Sequence, residues 1–464
     1  MDIKNQIKEL LNEELNRQEN EICLIASENY MSKDVLNACG TVLINKYSEG
    51  YPNKRYYGGC RVIDEIEQLA IDRACELFGC KFANVQPNSG CQANQAVYMA
   101  VCKPSDTILA MGVNEGGHIS HSLSIGFAGT FYHVVEYGLT DDGYLNYDEL
   151  KEKLYNHRPR LLIVGGSAYP REIDFKKVRN IVDEYNAWQE ENDERNAKLY
   201  NEGKISDLTP ESYPQYKHCY LMVDMAHIAG LVAAKEHMSP IPYADVVTST
   251  VQKTLRSGRG GLILTNDEQL IKKINSAVFP GIQGGSLNNM IAAKAVGFGE
   301  ALQPEFKEYI KQVKKNIQAM VEVFKEREVK MMTNGSDVHL ILLDLKDEEF
   351  SGAELETCLE SIGIITNKNS VKGDTRPKME TSGLRIGTAC ITTRGANEND
   401  SKWIAHLICN CIELLRGTFD FEGSGLLRVK EDGSIDYDAD INGLVLVDMS
   451  RKVKDWCQTH SIYK

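Results

Sequence analysis

Four short apolar runs, each followed by a polar or glycine-containing loop and then a helical pattern, constrain this chain more than any other feature. They are Thr107-Ile-Leu-Ala, Leu161-Leu-Ile-Val, Tyr220-Leu-Met-Val and Val246-Val-Thr. Such runs suit strands buried on both faces, and the intervening helices make the crossovers that parallel pairing needs. The reading is an α/β architecture built on a mainly parallel sheet.

The rest of the chain is organised around that sheet. Residues 1–20 read as one polar helix, within an N-terminal helical arm over 1–50. The large domain spans 51–300, and Asp64–Phe78 carries apolar positions at helical spacing. After Phe279-Pro-Gly-Ile-Gln-Gly-Gly285 a long helix is expected over about 288–327. A smaller α+β domain, 301–464, follows, with strands near Val338-His-Leu-Ile-Leu-Leu and Leu384-Arg-Ile-Gly, a turn at Glu431-Asp-Gly-Ser and a last helix near 446–458. Residues 187–218 are highly charged with little apolar periodicity, which reads as a surface insertion.

Composition removes several function classes. The 464 residues are 42% hydrophobic and 25% charged, values of a folded globular chain. A net charge of −14 argues against nucleic acid and anionic membrane as partners. No apolar run approaches the roughly 18–20 residues of a membrane span. The N-terminus lacks the apolar core of a signal peptide. Thirteen cysteines without CxxC pairing fit reduced thiols in a cytoplasmic protein better than disulfides or a metal cluster.

Within this frame Lys253 is the most informative residue. The β-branched stretch from Asp245 delivers it, and a turn, Arg256-Ser-Gly-Arg-Gly-Gly261, follows. An amine held at a strand end can be partly desolvated, which favours the neutral nucleophile of a Schiff-base lysine; an ordinary lysine in a hairpin has the same local sequence. A pyridoxal phosphate site also needs an acid for the ring nitrogen, a stacking group and donors for the phosphate. Asp224 ends the Tyr220 strand, with His227 three residues on. Ser89-Gly90-Cys91 precedes a helix whose N-terminus suits an anion. His118 lies close after the Thr107 strand, and Arg385 is of the type that binds carboxylates bidentately. Each has a plainer reading: Asp224 as a helix cap, His118 as a loop histidine, Gly90 as turn geometry, Arg385 as one half of an ion pair.

Longer blocks carry a resemblance. Leu24-Ile-Ala-Ser-Glu-Asn-Tyr30, Asn45-Lys-Tyr-Ser-Glu-Gly-Tyr-Pro-Asn-Lys-Arg-Tyr-Tyr-Gly-Gly59, Asn84-Val-Gln-Pro, Val223-Asp-Met-Ala-His-Ile-Ala-Gly-Leu-Val-Ala-Ala234, Ala277-Val-Phe-Pro-Gly and Ile-Thr-Thr-Arg394-Gly resemble the serine hydroxymethyltransferase family over roughly residues 20–416. The resemblance implies the fold type I architecture of pyridoxal phosphate enzymes. It also implies a homodimer, or a tetramer, with shared active sites, and one-carbon transfer from serine to tetrahydrofolate, leaving glycine.

By position, Lys253 would hold the cofactor, Asp224 would pair with the ring nitrogen and His118 would stack on the ring. His227 and Ser167 would reach the ring hydroxyl side. Ser89, Gly90, Cys91, Thr250 and Gln252 complete the cofactor set, with Tyr47, Gly284 and Gly285 from the neighbouring subunit. Ser27 and Arg385 would bind the substrate carboxylate, and Glu49 with Tyr57 would handle the proton and hydroxymethyl chemistry. Glu49, Tyr56, Val113, Ile119 and Asn369 map to the folate pocket.

The chain departs from the family pattern at Gln252, Asn88 and Glu115, positions where the family has or frequently has His. It departs again at Ser257-Gly258-Arg259 and at Ser286. These substitutions motivate an alternative: an aldolase or transaldolase of the same fold, acting on threonine-type β-hydroxy amino acids without folate.

Overall fold

The computed structural model describes residues 3–202, 218–419 and 441–463. The chain divides into two compact units, residues 34–303 and residues 1–33 with 304–464. The expected arm over 1–50 is therefore split between them.

The larger unit holds a seven-stranded sheet. Its strands are Phe82–Asn84 (β1), Thr107–Met111 (β2), His133–Tyr137 (β3), Leu161–Val164 (β4), Tyr220–Asp224 (β5), Val246–Thr250 (β6) and Gly261–Thr265 (β7). They lie in the order β1-β7-β6-β5-β4-β2-β3, and the five from β6 to β3 are mutually parallel. β7 runs antiparallel to both β6 and β1, so β1 points the same way as the parallel set. Every residue of β4 and β7 is buried, as unbroken apolar runs require. β3 was not among the expected strands; it pairs only with β2, and its half-exposed His133-Val-Val-Glu carries little apolar signal.

Two helical expectations change. The helix expected over 288–327 is two, Asn288–Ala301 and Pro304–Glu326. Proline lacks the N–H that would continue the first helix, and its fixed φ suits the start of the second. The charged segment from 187 continues the helix Phe175–Asn201, whose buried Val178, Ile181, Val182, Tyr185 and Gln189 share one face. Residues 203–217 and the expected turn at Glu431 lie outside the described residues.

In the smaller unit, Leu340–Asp344 (β8), Asn367–Asn369 (β9) and Gly383–Gly387 (β10) form an antiparallel sheet in the order β8-β10-β9. A two-residue parallel pairing joins Ile22–Cys23 to Ile364–Ile365. The helix Ile3–Asn20 belongs here because Arg394 holds it. Arg394 is 1% exposed, and its guanidinium donates to the carbonyls of Gln18 (3.2 Å), Glu19 (2.9 Å), Glu21 (2.7 Å), Cys457 (3.2 Å) and His460 (2.5 Å). Five donors meet five acceptors, so the charge is fully satisfied and tied to both ends of the chain. No described helix is long and apolar enough to cross a membrane.

Replacing Arg394 by Met leaves those carbonyls without their donor. We expect a loss of about 3 kcal/mol or more in the urea unfolding of the smaller unit, with the larger unit unaffected.

Candidate active site

Because β1, β2, β4, β5 and β6 point one way, the loops that leave them gather at one edge of the sheet, the edge where open α/β sheets bind ligands. Those loops carry Ser89-Gly90-Cys91, then Val113 and His118, Ser167, Asp224 and His227, and finally Thr250, Gln252 and Lys253. Residues spread over more than 160 positions thus reach one edge by topology alone.

Asp224, the last residue of β5, is the electrostatic centre. Its Oδ2 accepts from Asn94 Nδ2 and from His121 Nε2, both at 2.9 Å, and its Oδ1 accepts from the Ala226 N–H at 3.0 Å. Burial alone would raise its pKa. The His121 hydrogen bond, the nearby His121 and His118 and the Asn94 amide outweigh burial and hold the carboxyl well below the usual carboxylate range. Asn94 cannot turn away, since its Oδ1 accepts from Thr248 Oγ1 at 2.7 Å, and Thr248 pairs with Asp224 in the sheet. Sequence reasoning missed both Asn94 and His121. The available signals were their periodicities: Asn94 lies one turn after Gly90, and His121 three residues after His118. His118 caps the short helix Ile119–Ser122, and its Nδ1 lies 2.7 Å from Ser120 Oγ. Ile119 is 54% exposed.

The Ser89 turn is shaped to receive an anion. Ser89 caps the helix Gly90–Val101, its Oγ accepting from the Gln92 N–H at 3.2 Å. A Cβ on Gly90 would stand 2.6 Å from Thr250 Cγ2, so only glycine lets this helix start approach β6 so closely. Burial, helped by the charge of Asp224, pushes the Cys91 thiol up, which keeps it neutral. Thr250 Oγ1 and His121 Nδ1 are buried without a hydrogen-bond partner among the described residues.

Lys253 is 7% exposed. The chain reverses directly after it: the Arg256 N–H donates to Lys253 O at 3.0 Å, with Arg256 at φ +56°, and the Ser257 N–H donates to Val251 O at 2.8 Å. His227 is buried, and its carbonyl accepts from Thr254 Oγ1 at 2.8 Å, joining the β5 and β6 loops. The Ser167 N–H donates to Gly116 O at 2.7 Å, which ties the β4 loop to the segment before His118. A buried lysine, an ionised acid, a helix start with donors and an orphaned buried hydroxyl are the groups that pyridoxal phosphate requires, and they fit it. Among the described residues no three His, Cys, Asp or Glu side chains gather as a metal site.

A second cluster in the same unit contains Tyr47, Glu49, Tyr57, Gly284 and Gly285. The Tyr47 and Tyr57 rings lie 5.3 Å apart, edge to face. A Cβ on Gly285 would meet the Tyr47 ring at 2.9 Å, and one on Gly284 would lie 3.4 Å from Glu49 Oε1. Tyr56 is 76% exposed and packs 5.6 Å from Phe279.

In the smaller unit Arg385 sits in β10, 8% exposed, with Nε donating to Asn367 Oδ1 at 3.2 Å. Burial pushes its pKa down to about 10. Ser27 follows Ala26, whose Cα a Cβ on Gly387 would meet at 2.5 Å, so Ser27 lies alongside the end of the same strand. Asn369 in β9 donates to Ser370 O at 2.7 Å.

Most of the departures from the family pattern have local partners. Gln252 Oε1 accepts from the Gly260 N–H at 3.4 Å, and Glu115 Oε2 accepts from the Leu139 N–H at 2.9 Å. The Asn88 N–H donates to Gln283 Oε1 at 3.0 Å, and Ser286 Oγ lies 3.1 Å from Ser48 Oγ. A Cβ on Gly258 would collide with that of Ala293, so this turn packs directly on the helix Asn288–Ala301.

A sequence model described as "Serine hydroxymethyltransferase" matches residues 1–191 and 212–408, passing over part of the charged segment. Curated proteins of that name are similar over most of the chain. The one from Phenylobacterium zucineum is 49% identical over 407 residues, 87% of each chain. That from a Nitratiruptor species is 47% identical over 414 residues, 89% of this chain and 92% of its own. That from Orientia tsutsugamushi is 45% identical over 463 residues, 99% of both. Together with a sheet edge that assembles Lys253, Asp224 and the Ser89 turn, these matches place the chain in the serine hydroxymethyltransferase family, of fold type I.

Proposed function

We propose that this protein transfers the hydroxymethyl group of serine to tetrahydrofolate, giving glycine and 5,10-methylenetetrahydrofolate, with pyridoxal 5′-phosphate as cofactor. The observation that carries this reading is the ionised Asp224, held by Asn94, His121 and the Ala226 N–H, on the same sheet edge as buried Lys253. When bound, the cofactor supplies an electron sink for bond breaking at the substrate Cα.

The chain's own residues do the rest. Lys253 would hold the aldehyde end, and Asp224, as an ionised partner, would keep a proton on the ring nitrogen. His118 would stack against the ring, with His227 and Ser167 toward its hydroxyl. Ser89, Gly90, Cys91, Thr250 and Gln252 would hold the phosphate. Arg385 and Ser27 would bind the substrate carboxylate, the guanidinium fork fixing its orientation. Glu49 with Tyr57 moves the proton of the serine hydroxyl. Tyr56, Val113, Ile119 and Asn369, with Glu49, receive the folate.

The working unit is a homodimer, or a tetramer built from it, in which Tyr47, Gly284 and Gly285 serve the neighbouring subunit. Exposed Val42 (80%), Ile44 (70%) and Tyr56 (76%), with Leu36 and Leu69, support a covered apolar face in the larger unit. Location in the cytoplasm agrees with thirteen free thiols. No observation favours the folate-independent aldolase: Gln252 and Glu115 are both taken up by backbone N–H groups of the chain itself.

Glycine formation from serine and tetrahydrofolate should be abolished in Lys253→Ala. It should fall roughly 100-fold in Glu49→Gln, which still binds cofactor. Threonine cleavage that outpaces the serine reaction without folate would overturn the reading. Arg385→Lys, which loses the bidentate fork, should raise the serine KM by about tenfold or more.

Acid sensitivity tests Asp224. Its folded pKa is depressed, so the stability it contributes is present above the unfolded value of about 3.9 and is lost as pH falls below it. His121→Phe removes a donor and raises the folded value. The acid-induced loss of near-ultraviolet circular dichroism should therefore begin at higher pH than in the parent; an unchanged midpoint would show that His121 does not hold the carboxylate.

A further inference from the structure

Lys294 is a buried charge that the reading above does not use. It lies in the helix Asn288–Ala301 and is 1% exposed. Its Nζ donates to Val85 O at 2.6 Å, Pro87 O at 3.0 Å and Gly261 O at 2.9 Å. An ammonium has three hydrogens, so each has a partner.

The three carbonyls belong to two separate pieces of chain. Val85 and Pro87 lead from β1 to Ser89-Gly90-Cys91. Gly261 closes the turn that begins at Lys253, and its own N–H donates to Pro87 O at 2.8 Å. The side chain fits because residue 260 is glycine: a Cβ there would collide with Lys294 Cε and stand 2.6 Å from Nζ. Glu67 is the opposite charge nearby, itself bonded to Arg55 at 2.6 Å and Gln86 at 2.7 Å. Burial pushes the Lys294 pKa down to about 7, so the ammonium is held at a cost. An apolar side chain of similar volume would fill the space without that cost. What the ammonium adds is a fixed triangle of carbonyls across two turns.

We propose that Lys294 is a positioning residue for the cofactor, its ammonium setting the separation between the turn that carries Lys253 and the turn that carries Ser89-Gly90-Cys91. This rests on the reading that those turns grip the two ends of pyridoxal phosphate. The aldehyde and the phosphate arm of the cofactor stand on adjacent ring carbons and span a short, bounded distance, so a change in the separation of the turns loosens one grip or the other. All three Lys294 hydrogens go to backbone carbonyls, so it would act through the two turns and not by touching substrate or cofactor.

Two variants disturb the link in different ways. Lys294→Met keeps the volume and removes the three donors, whereas Gly260→Ala keeps the ammonium and forces it off its carbonyls. The measurement is cofactor loss from the full-length holoenzyme after dilution, followed by its visible absorbance and circular dichroism, beside thermal unfolding of the same samples. Both variants should lose cofactor at least about tenfold faster and show weaker visible circular dichroism. Their serine KM at saturating cofactor should stay within about twofold of the parent. Retention at the parental rate in both variants, with or without a lower melting temperature, overturns the proposal and leaves Lys294 a core residue; so does failure of both to fold. A parent protein that takes up no pyridoxal phosphate overturns the functional reading along with it.

Discussion

One antiparallel strand governs the arrangement of the site. β7 lies between β6 and β1 and runs against both. A parallel partner for β6 would have required a crossover through a helix, carrying the chain away from the functional edge. Antiparallel pairing instead turns the chain back at that edge, directly after Lys253. It also sets Gly261 beside the exit of β1, where a Cβ would collide with Ser89 O. Lys253 and the Ser89 turn are neighbours because the strand between them is reversed.

Three buried charges, Arg394 in the smaller unit and Lys294 and Asp224 in the larger, separate into two kinds by what satisfies them. Each side-chain N–H of Arg394 and Lys294 reaches a backbone carbonyl, every donor used. Such groups fix chain segments in space and leave no capacity for a ligand. Asp224 is different. Its partners hold it ionised while it stands at a strand end on the ligand edge, and nearby polar atoms, Thr250 Oγ1 and His121 Nδ1, are buried without partners among the described residues. A paired charge inside a packed segment is architecture; an ionised group beside unsatisfied polar atoms is a site.

Much of the fold was legible from the residues. The unbroken apolar runs became β2, β4, β5 and β6, because strands buried on both faces must be apolar throughout. The edge strand β3 escaped, since a partly exposed strand can be polar. The helix over 288–327 was read as one because its apolar period continues through Pro304, where backbone geometry overrules it. Arg394 shows the limit of motif reading: it stands in one of the most recognisable blocks, yet its guanidinium is spent on the carbonyls that bind the first and last helices. Gln252 and Glu115 show the same limit from the other side, since substitutions that raised a question of chemistry serve turn and loop backbone.

The sequence by itself determined the parallel α/β class, the lysine, acid and arginine types the chemistry needs, and the segments that carry them, because hydrophobic period and residue type are local properties. Only the tertiary structure decided which side chains hold those groups in their working state. Asn94 and His121 fix Asp224 from 130 and 103 residues away, and Lys294 joins two turns from 209 and 33 residues away. Hydrogen bonds of that separation leave no periodicity in the chain, and they exist only once the strands have brought their loops to one edge.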